Sequence, residues 1–263
     1  MSFRFACITQ EDPFYLRLFF EEFLQRYPRR DEIAAIVVAP AMGKKSSVRL
    51  ARQMYEFYGP IDFLRMGARF AFFKLAARFG RLLSLKRFYS IDQVCAYYDV
   101  PVWHVANVNS DEFLNRLRSL DLDLIVSVAA PQVFKRPLLS LARHGAINIH
   151  NSKLPRYRGM LPNFWQMFHG EKSVGTTIHR INESLDDGAI LSQSETPIKP
   201  GETLDSLIRR TKRAGAAQMI DVVEHIKAGT AREVENSREQ ATYFTFPTRD
   251  QVREFRRRGY RLV

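Results

Sequence analysis

Five short runs of aliphatic and β-branched residues recur along this chain, separated by stretches with helical spacing. That alternation limits the fold more than any other feature, because strands separated by helices pair in parallel and bury both faces of one sheet. The expected strands are residues 4–9, 32–39, 101–105, 122–128 and 146–150, with helices over 15–25 and 112–120. Residues 175–181 and 190–196 read as an antiparallel pair joined through Leu185-Asp186-Asp187-Gly188, and residues 204–227 as one long helix. The predicted class is α/β, a Rossmann-like, mostly parallel sheet with helices on both faces. At 263 residues and 46% hydrophobic content, the chain can bury a full core in a single domain spanning 1–263.

Functional groups in such sheets collect at the carboxyl ends of strands. In Ala146-Ile147-Asn148-Ile149-His150, period two puts Asn148 and His150 on one face and the two isoleucines on the other. The plain reading is that both polar groups satisfy backbone at a strand end. Asp186 shifts the balance toward chemistry. Formyl transfer to an amine needs a donor for the oxygen that becomes an oxyanion and a group that manages protons. An Asn amide suits the first task and a His imidazole the second, while a nearby carboxylate favours the imidazolium and orients it. The basic, Pro-containing turn that follows offers Ser152 and Arg158 as substrate contacts.

The run Asn148-Ile149-His150-Asn151-Ser152-Lys153-Leu154-Pro155-Arg156-Tyr157-Arg158-Gly159, then Gly175-Thr176-Thr177-Ile178-His179, then Leu185-Asp186-Asp187-Gly188, resembles the 10-formyltetrahydrofolate-dependent formyltransferases. That family includes glycinamide ribonucleotide, methionyl-tRNA and sugar-nucleotide N-formyltransferases and formyltetrahydrofolate deformylase. The resemblance implies the formyltransferase fold, with Asn148, His150 and Asp186 as the catalytic set. It also implies a folate pocket bordered by Ala130, Pro131, Gln132, Val133 and Phe134 on one side and by Leu185, Asp187 and Gly188 on the other. The donor it implies is 10-formyltetrahydrofolate, without a metal, and the acceptor a primary amine: a small amino sugar on a nucleotide or lipid carrier first, an amino-acid-derived amine or, last, a tRNA-bound amine, with the net charge of +12 suiting an anionic one. Hydrolysis of the donor is the rival activity, and a non-catalytic basic protein binding membrane or nucleic acid is a third reading. The chain departs from the family in two places. Ile8-Thr9-Gln10-Glu11-Asp12-Pro13 stands where the purine branch has a Gly-rich loop. About thirty-five residues follow the long helix, too few for the barrel domain of the tRNA branch.

Charge is concentrated locally. Lys and Arg number 40 against 28 Asp and Glu, a net +12. Residues 43–88 hold eleven of the cations and two acids, so +9 of that excess lies in one insert. Within it Phe63, Met66, Phe70, Phe73 and Ala77 form one helical stripe, and Phe72, Leu75, Phe79, Leu82 and Leu83 a second, opposite Lys74, Arg78 and Arg81. Both stripes are expected to pack on the domain or on the second subunit of a homodimer. Docking of residues 61–85 on a membrane surface is the less favoured reading, and nucleic acid is not favoured. Residues 230–263 read as a basic tail, its Arg-rich stretch 249–263 as a solvated or partner-binding end.

Several classes are excluded or set aside. Cys7 and Cys95 have neither disulfide-framework nor metal spacing, which suits a reducing, cytoplasmic setting. No secretion signal, membrane-spanning run, Gly-x-Gly-x-x-Gly or Gly-Lys-Ser/Thr loop is present. His179 reads as a satisfied strand histidine, with a place near the folate pocket the less favoured reading; His104, His144, His169 and His225 read as surface or packing residues, and Phe164 and Trp165 as core, with a wall of the acceptor site the less favoured alternative.

Overall fold

The structure, a computed structural model, describes residues 3–41, 47–79, 87–184 and 186–263. Leu185, and from the insert Lys44, Lys45, Arg81, Leu82, Leu83 and Lys86, lie outside the described residues. In chain order the elements are β1 (Phe5–Gln10), α1 (Leu16–Arg26), β2 (Ile33–Ala39), α2 (Ser47–Phe79), α3 (Ile91–Tyr97), β3 (Val102–His104), α4 (Asp111–Arg118), β4 (Leu124–Val128) and α5 (Arg136–Leu139). They continue with β5 (Ala146–His150), β6 (Arg158–Gly159), α6 (Pro162–Phe168), β7 (Ser173–Arg180), β8 (Ile190–Pro197), α7 (Leu204–Lys227), β9 (Tyr243–Phe244) and α8 (Arg249–Arg257).

The main sheet runs β3-β2-β1-β4-β5-β7-β8, parallel from β3 through β5, with β7 antiparallel to both β5 and β8; the sequence predicts the parallel strands and the β7–β8 pair, and the structure supplies the strand order and the β5–β7 pairing. Alternation assigns each strand side chain to one of two cores. Phe5, Cys7, Ile36, Val38, Ile147 and Ile149 face α1 and α7, while Ala6, Ile8, Ala35, Val37 and Ile125 face α4. Asn148 and His150 therefore project on the α4 side. Good local signals fix the helices. Ser110 caps α4, with Asp111 and Glu112 in its first turn, and Thr203 caps α7. Phe19, Phe23 and Tyr27, four apart, stack along α1 at 5.8 and 5.4 Å between ring centres.

A third core corrects the reading of residues 230–263 as a tail. Phe57 of α2, Phe164 and Trp165 of α6, and Val252 and Phe255 of α8 pack together, and Leu262 joins them. The arginine count hides an i,i+3 apolar pair, and a capping box between Thr248 and Gln251 starts α8. Ahead of α8, β9 pairs with β6.

Helix α2 breaks at Gly59, whose φ is +70°, and Pro60 beside it has no amide hydrogen to continue the ladder. Its inner side is anchored. Met66 and Phe73 are buried, Arg69 meets Asp205 at 2.9 Å, Tyr15 donates to the same carboxylate oxygen at 2.8 Å, and Lys74 pairs with Glu11. Gln93 Nε2 donates to the Ala76 and Ala77 carbonyls at 3.2 and 2.8 Å, satisfying acceptors that the helix end leaves over. Of the two predicted stripes, the domain covers much of the first. Phe72, Leu75 and Phe79 of the second face solvent. Among the described residues no helix is long and apolar enough to cross a membrane.

Candidate active site

Strand pairing assembles the site. The register of β5 against β7 sets Asn148 opposite His179 and His150 opposite Thr177. Asn148 Nδ2 donates to His179 Nε2 at 3.2 Å, and His179 Nδ1 donates to the Arg180 carbonyl at 2.7 Å. Those two bonds require the neutral imidazole, with its proton on Nδ1. Burial pushes the His179 pKa down to about 4; Asp186 opposes that shift and His150 adds to it. His150 Nε2 donates to the Tyr157 carbonyl at 2.8 Å, so Nδ1 is the nitrogen left to exchange a proton. Asp186 Oδ1 stands 3.7 Å from His150 Nδ1 and 3.7 Å from His179 Nε2, while Gly159 N donates to its Oδ2 at 3.1 Å. One buried carboxylate thus serves two imidazoles.

The loop carrying Asp186 is held from outside the predicted motif. Asp186 has φ +50°, a left-handed conformation that aspartate tolerates better than most residues. Asn236 Nδ2 donates to the carbonyls of Asp186 and Gly188 at 2.9 and 3.1 Å. Arg158 Nη1 donates to Asp187 Oδ1 at 2.7 Å, and Arg238 Nε to Asp187 Oδ2 at 3.0 Å. The Arg238 bond first, and Arg158 with it, holds the Asp187 carboxyl below the usual range. Gly188 is needed for space, since a Cβ there would sit 2.0 Å from the Arg180 carbonyl oxygen. Asn236 and Arg238 were missed in sequence because they lie about fifty residues beyond Asp186 in a stretch that reads as tail.

A cavity of roughly 290 Å³ opens beside this cluster, with Asn148, His179 and Asp186 on its polar side. Ala130, Pro131, Gln132, Val133 and Phe134 form one wall, and residues 182–184 another. Gln132 fastens its wall by accepting from Val108 N and donating to the Ala106 carbonyl, both at 2.9 Å. His150 does not line the cavity; it approaches through Asp186. The other expected residues are placed differently. Ser152 is fully buried, its hydroxyl donating to the Arg156 carbonyl at 2.9 Å, and Arg158 and Asp187 neutralise each other. His179 belongs to the cluster. The sequence signal for it is that β5 and β7, if paired, bring two polar residues face to face. Phe164 and Trp165 are core, not a wall.

The family model described as formyl transferase matches residues 79–223. The methionyl-tRNA formyltransferase of Desulfotalea psychrophila is 36% identical over 143 residues, 54% of this chain and 44% of that protein. That of Syntrophus aciditrophicus is 39% identical over 134 residues, 51% and 43% of the two chains. The chain thus spans under half the length of the curated relatives it matches. Among solved structures, phosphoribosylglycinamide formyltransferase from Anaplasma phagocytophilum aligns with a TM-score of 0.61 at 16% identity, over 93% of this chain and 99% of that one. An N-formyltransferase from Helicobacter canadensis, in complex with folinic acid and dTDP-3-aminofucose, aligns with a TM-score of 0.56 at 15% identity, over 97% and 81%. Those likenesses establish the fold. The family match, covering more than half of the chain, establishes that this protein belongs to the formyl transferase family.

Proposed function

We propose that the chain passes the formyl group of 10-formyltetrahydrofolate to the primary amine of a small, anionic acceptor such as an amino sugar. The observation that carries this reading is the cluster of Asn148, His179, Asp186 and His150 at the edge of the cavity bounded by residues 130–134. Its apolar walls and polar floor suit a flat, hydrogen-bonding head group such as a pterin. The donor supplies an activated one-carbon acyl group on nitrogen; the remaining work falls to the chain. Asn148 has a second amide hydrogen beyond the one given to His179, and it stabilises the negative charge that develops on the formyl oxygen as the amine adds. His179, held neutral, fixes the amide orientation by accepting the first. The proton the attacking amine loses passes by way of the Asp186 carboxylate, which lines the cavity, to His150 Nδ1 and returns to the departing nitrogen by the same route, with Asp186 as counter-ion for the imidazolium. One C–N bond forms and one breaks, with no net change in protons.

The remaining predicted contacts support the frame. Ala130 to Phe134 hold the donor, Gly188 and Asp187 fix the loop that presents Asp186, and Ser152 and Arg158 shape the turn beyond β5. Net charge +12 favours an anionic acceptor. The amino-sugar ligand of the Helicobacter canadensis structure supports the acceptor class, and the methionyl-tRNA relatives make tRNA the competing acceptor.

The test begins with saturable binding of 5-formyltetrahydrofolate in the presence of a chelator. Incubation with 10-formyltetrahydrofolate and a panel of amino-sugar nucleotides should then yield a formamide, read by mass spectrometry. Formate released at the same rate with and without amine would make the activity hydrolytic, and absence of folate binding would remove the donor assignment.

A further inference from the structure

Residues 130–134, the wall of the cavity that follows β4, leave their strand through a strained turn. Ala129, the first residue past β4, has φ +54°, a left-handed conformation that costs an alanine free energy because its Cβ crowds the backbone. Strain of that kind persists only where the surroundings hold it, and it gathers at ligand clamps. The surroundings here are one short segment between β3 and α4. Gln132 reaches from the wall to that segment, through the Val108 amide and the Ala106 carbonyl at 2.9 Å each. Asn109 reaches back from the segment to the wall. Its Nδ2 donates to the Val133 carbonyl and its Oδ1 accepts from Lys135 N, both at 2.9 Å. A backbone amide can only donate, so the Lys135 bond fixes which end of the Asn109 side chain is oxygen.

Asn109 is itself anchored on both sides. Val108 before it is buried in the core packed against α4, Asn107 Oδ1 accepts from the Asn109 amide at 3.0 Å, and Ser110 after it caps α4. The tip of the wall is otherwise open, since Val133 lines the cavity and is 66% exposed. We propose that Asn109 is a positioning residue for the formyl donor, holding residues 130–134 in the shape that receives its pterin head. This role rests on 10-formyltetrahydrofolate being the donor. A wall fixed in advance loses little freedom when the donor arrives, so the gain appears as affinity. Asn109 bonds to Asn107, Val133 and Lys135 and to none of Asn148, His150, His179 and Asp186, so the chemical step should be indifferent to it.

Calorimetric titration of the full chain with 5-formyltetrahydrofolate tests it, with circular dichroism and thermal midpoints establishing that each variant is folded. Asn109→Ala removes both bonds to the wall and should raise the Kd about 10-fold, from two neutral hydrogen bonds in a partly exposed place. Asn109→Asp keeps the shape and the bond from Lys135 but sets an oxygen against the Val133 carbonyl, so it should weaken binding at least as much. A side chain that merely filled space would tolerate that change. Hydrogen exchange at the Lys135 amide should quicken in the free alanine variant and slow again once the donor is saturating. In the transfer assay, the KM for 10-formyltetrahydrofolate should rise while kcat stays within about two-fold. A wild type that binds the donor no better than both variants do overturns the role and leaves the donor assignment standing. So does a lowered kcat with an unchanged KM. A wild type that binds no folate overturns the donor assignment and this role with it.

Discussion

The end of β5 and the outer face of α2 are built on opposite terms. Asn148, His150, His179 and Asp186 are withdrawn from bulk water, and each meets a hydrogen-bond partner or a close opposite charge within the chain. Ile61, Leu64, Phe72 and Leu75 are apolar and meet water. Burying a polar group without a partner costs several kcal/mol, so a buried polar cluster must be completed internally before it can act. An exposed apolar row is not completed within the described chain. The first region is a place for chemistry and the second an open face.

The largest effect expected from breaking the contrast is on catalysis. His150→Ala and Asn148→Ala should each lower formyl transfer by roughly 10²–10³, within the ranges seen when a proton-transfer group or an oxyanion donor is lost, and His150→Ala should also lower the thermal midpoint because it leaves the Tyr157 carbonyl without its buried donor. Single-turnover assays with 10-formyltetrahydrofolate decide it, and a variant with near wild-type turnover takes that residue out of the mechanism.

Next comes the pH dependence of stability. The unfolded chain protonates His179 below about pH 6.5, whereas the folded chain resists until about 4. Between those values the unfolded state binds more protons, so stability falls as pH drops through the window, by up to roughly 3 kcal/mol, and the contribution is flat above it. Urea midpoints across that range measure the slope, which His179→Gln should flatten. A wild-type midpoint independent of pH there contradicts a buried neutral histidine.

Two changes to the Asp186 loop should be smaller. Gly188→Ala forces a methyl against the Arg180 carbonyl and should cost about 1–3 kcal/mol, as overpacking does. Asn236→Ala leaves the Asp186 and Gly188 carbonyls without their side-chain donor and should cost about 1–3 kcal/mol. As a positioning residue, Asn236 should also affect kcat more than the KM for folate; an unchanged kcat would restrict it to stability. The smallest effect belongs to the other region. Leu64→Ser should change stability by less than about 0.5 kcal/mol, because its side chain is mostly in solvent. A larger loss in calorimetry would show that the outer face is covered in solution.

Legibility in sequence follows the range of the interactions. Strand alternation placed Asn148 and His150 together, and the antiparallel pair brought in Asp186, because each step needs only neighbours in sequence or one register. The cooperation of His179 with Asn148 needed the β5–β7 pairing as well. Misreading residues 230–263 as a tail had a different cause. Arginines dominate the composition there, while the packing rests on Val252, Phe255 and Leu262.

By itself the sequence determined the α/β class, the mostly parallel character of the sheet and the common face on which Asn148 and His150 stand. These are periodic properties, set by backbone geometry and the need to bury apolar side chains. Tertiary structure alone decided that Asn236 and Arg238 would hold the Asp186 loop, that Arg158 and Asp187 would pair with each other, and which apolar stripe of α2 would be covered. Those outcomes depend on which distant segments come within hydrogen-bonding or contact range, and no local pattern encodes distance across a folded chain.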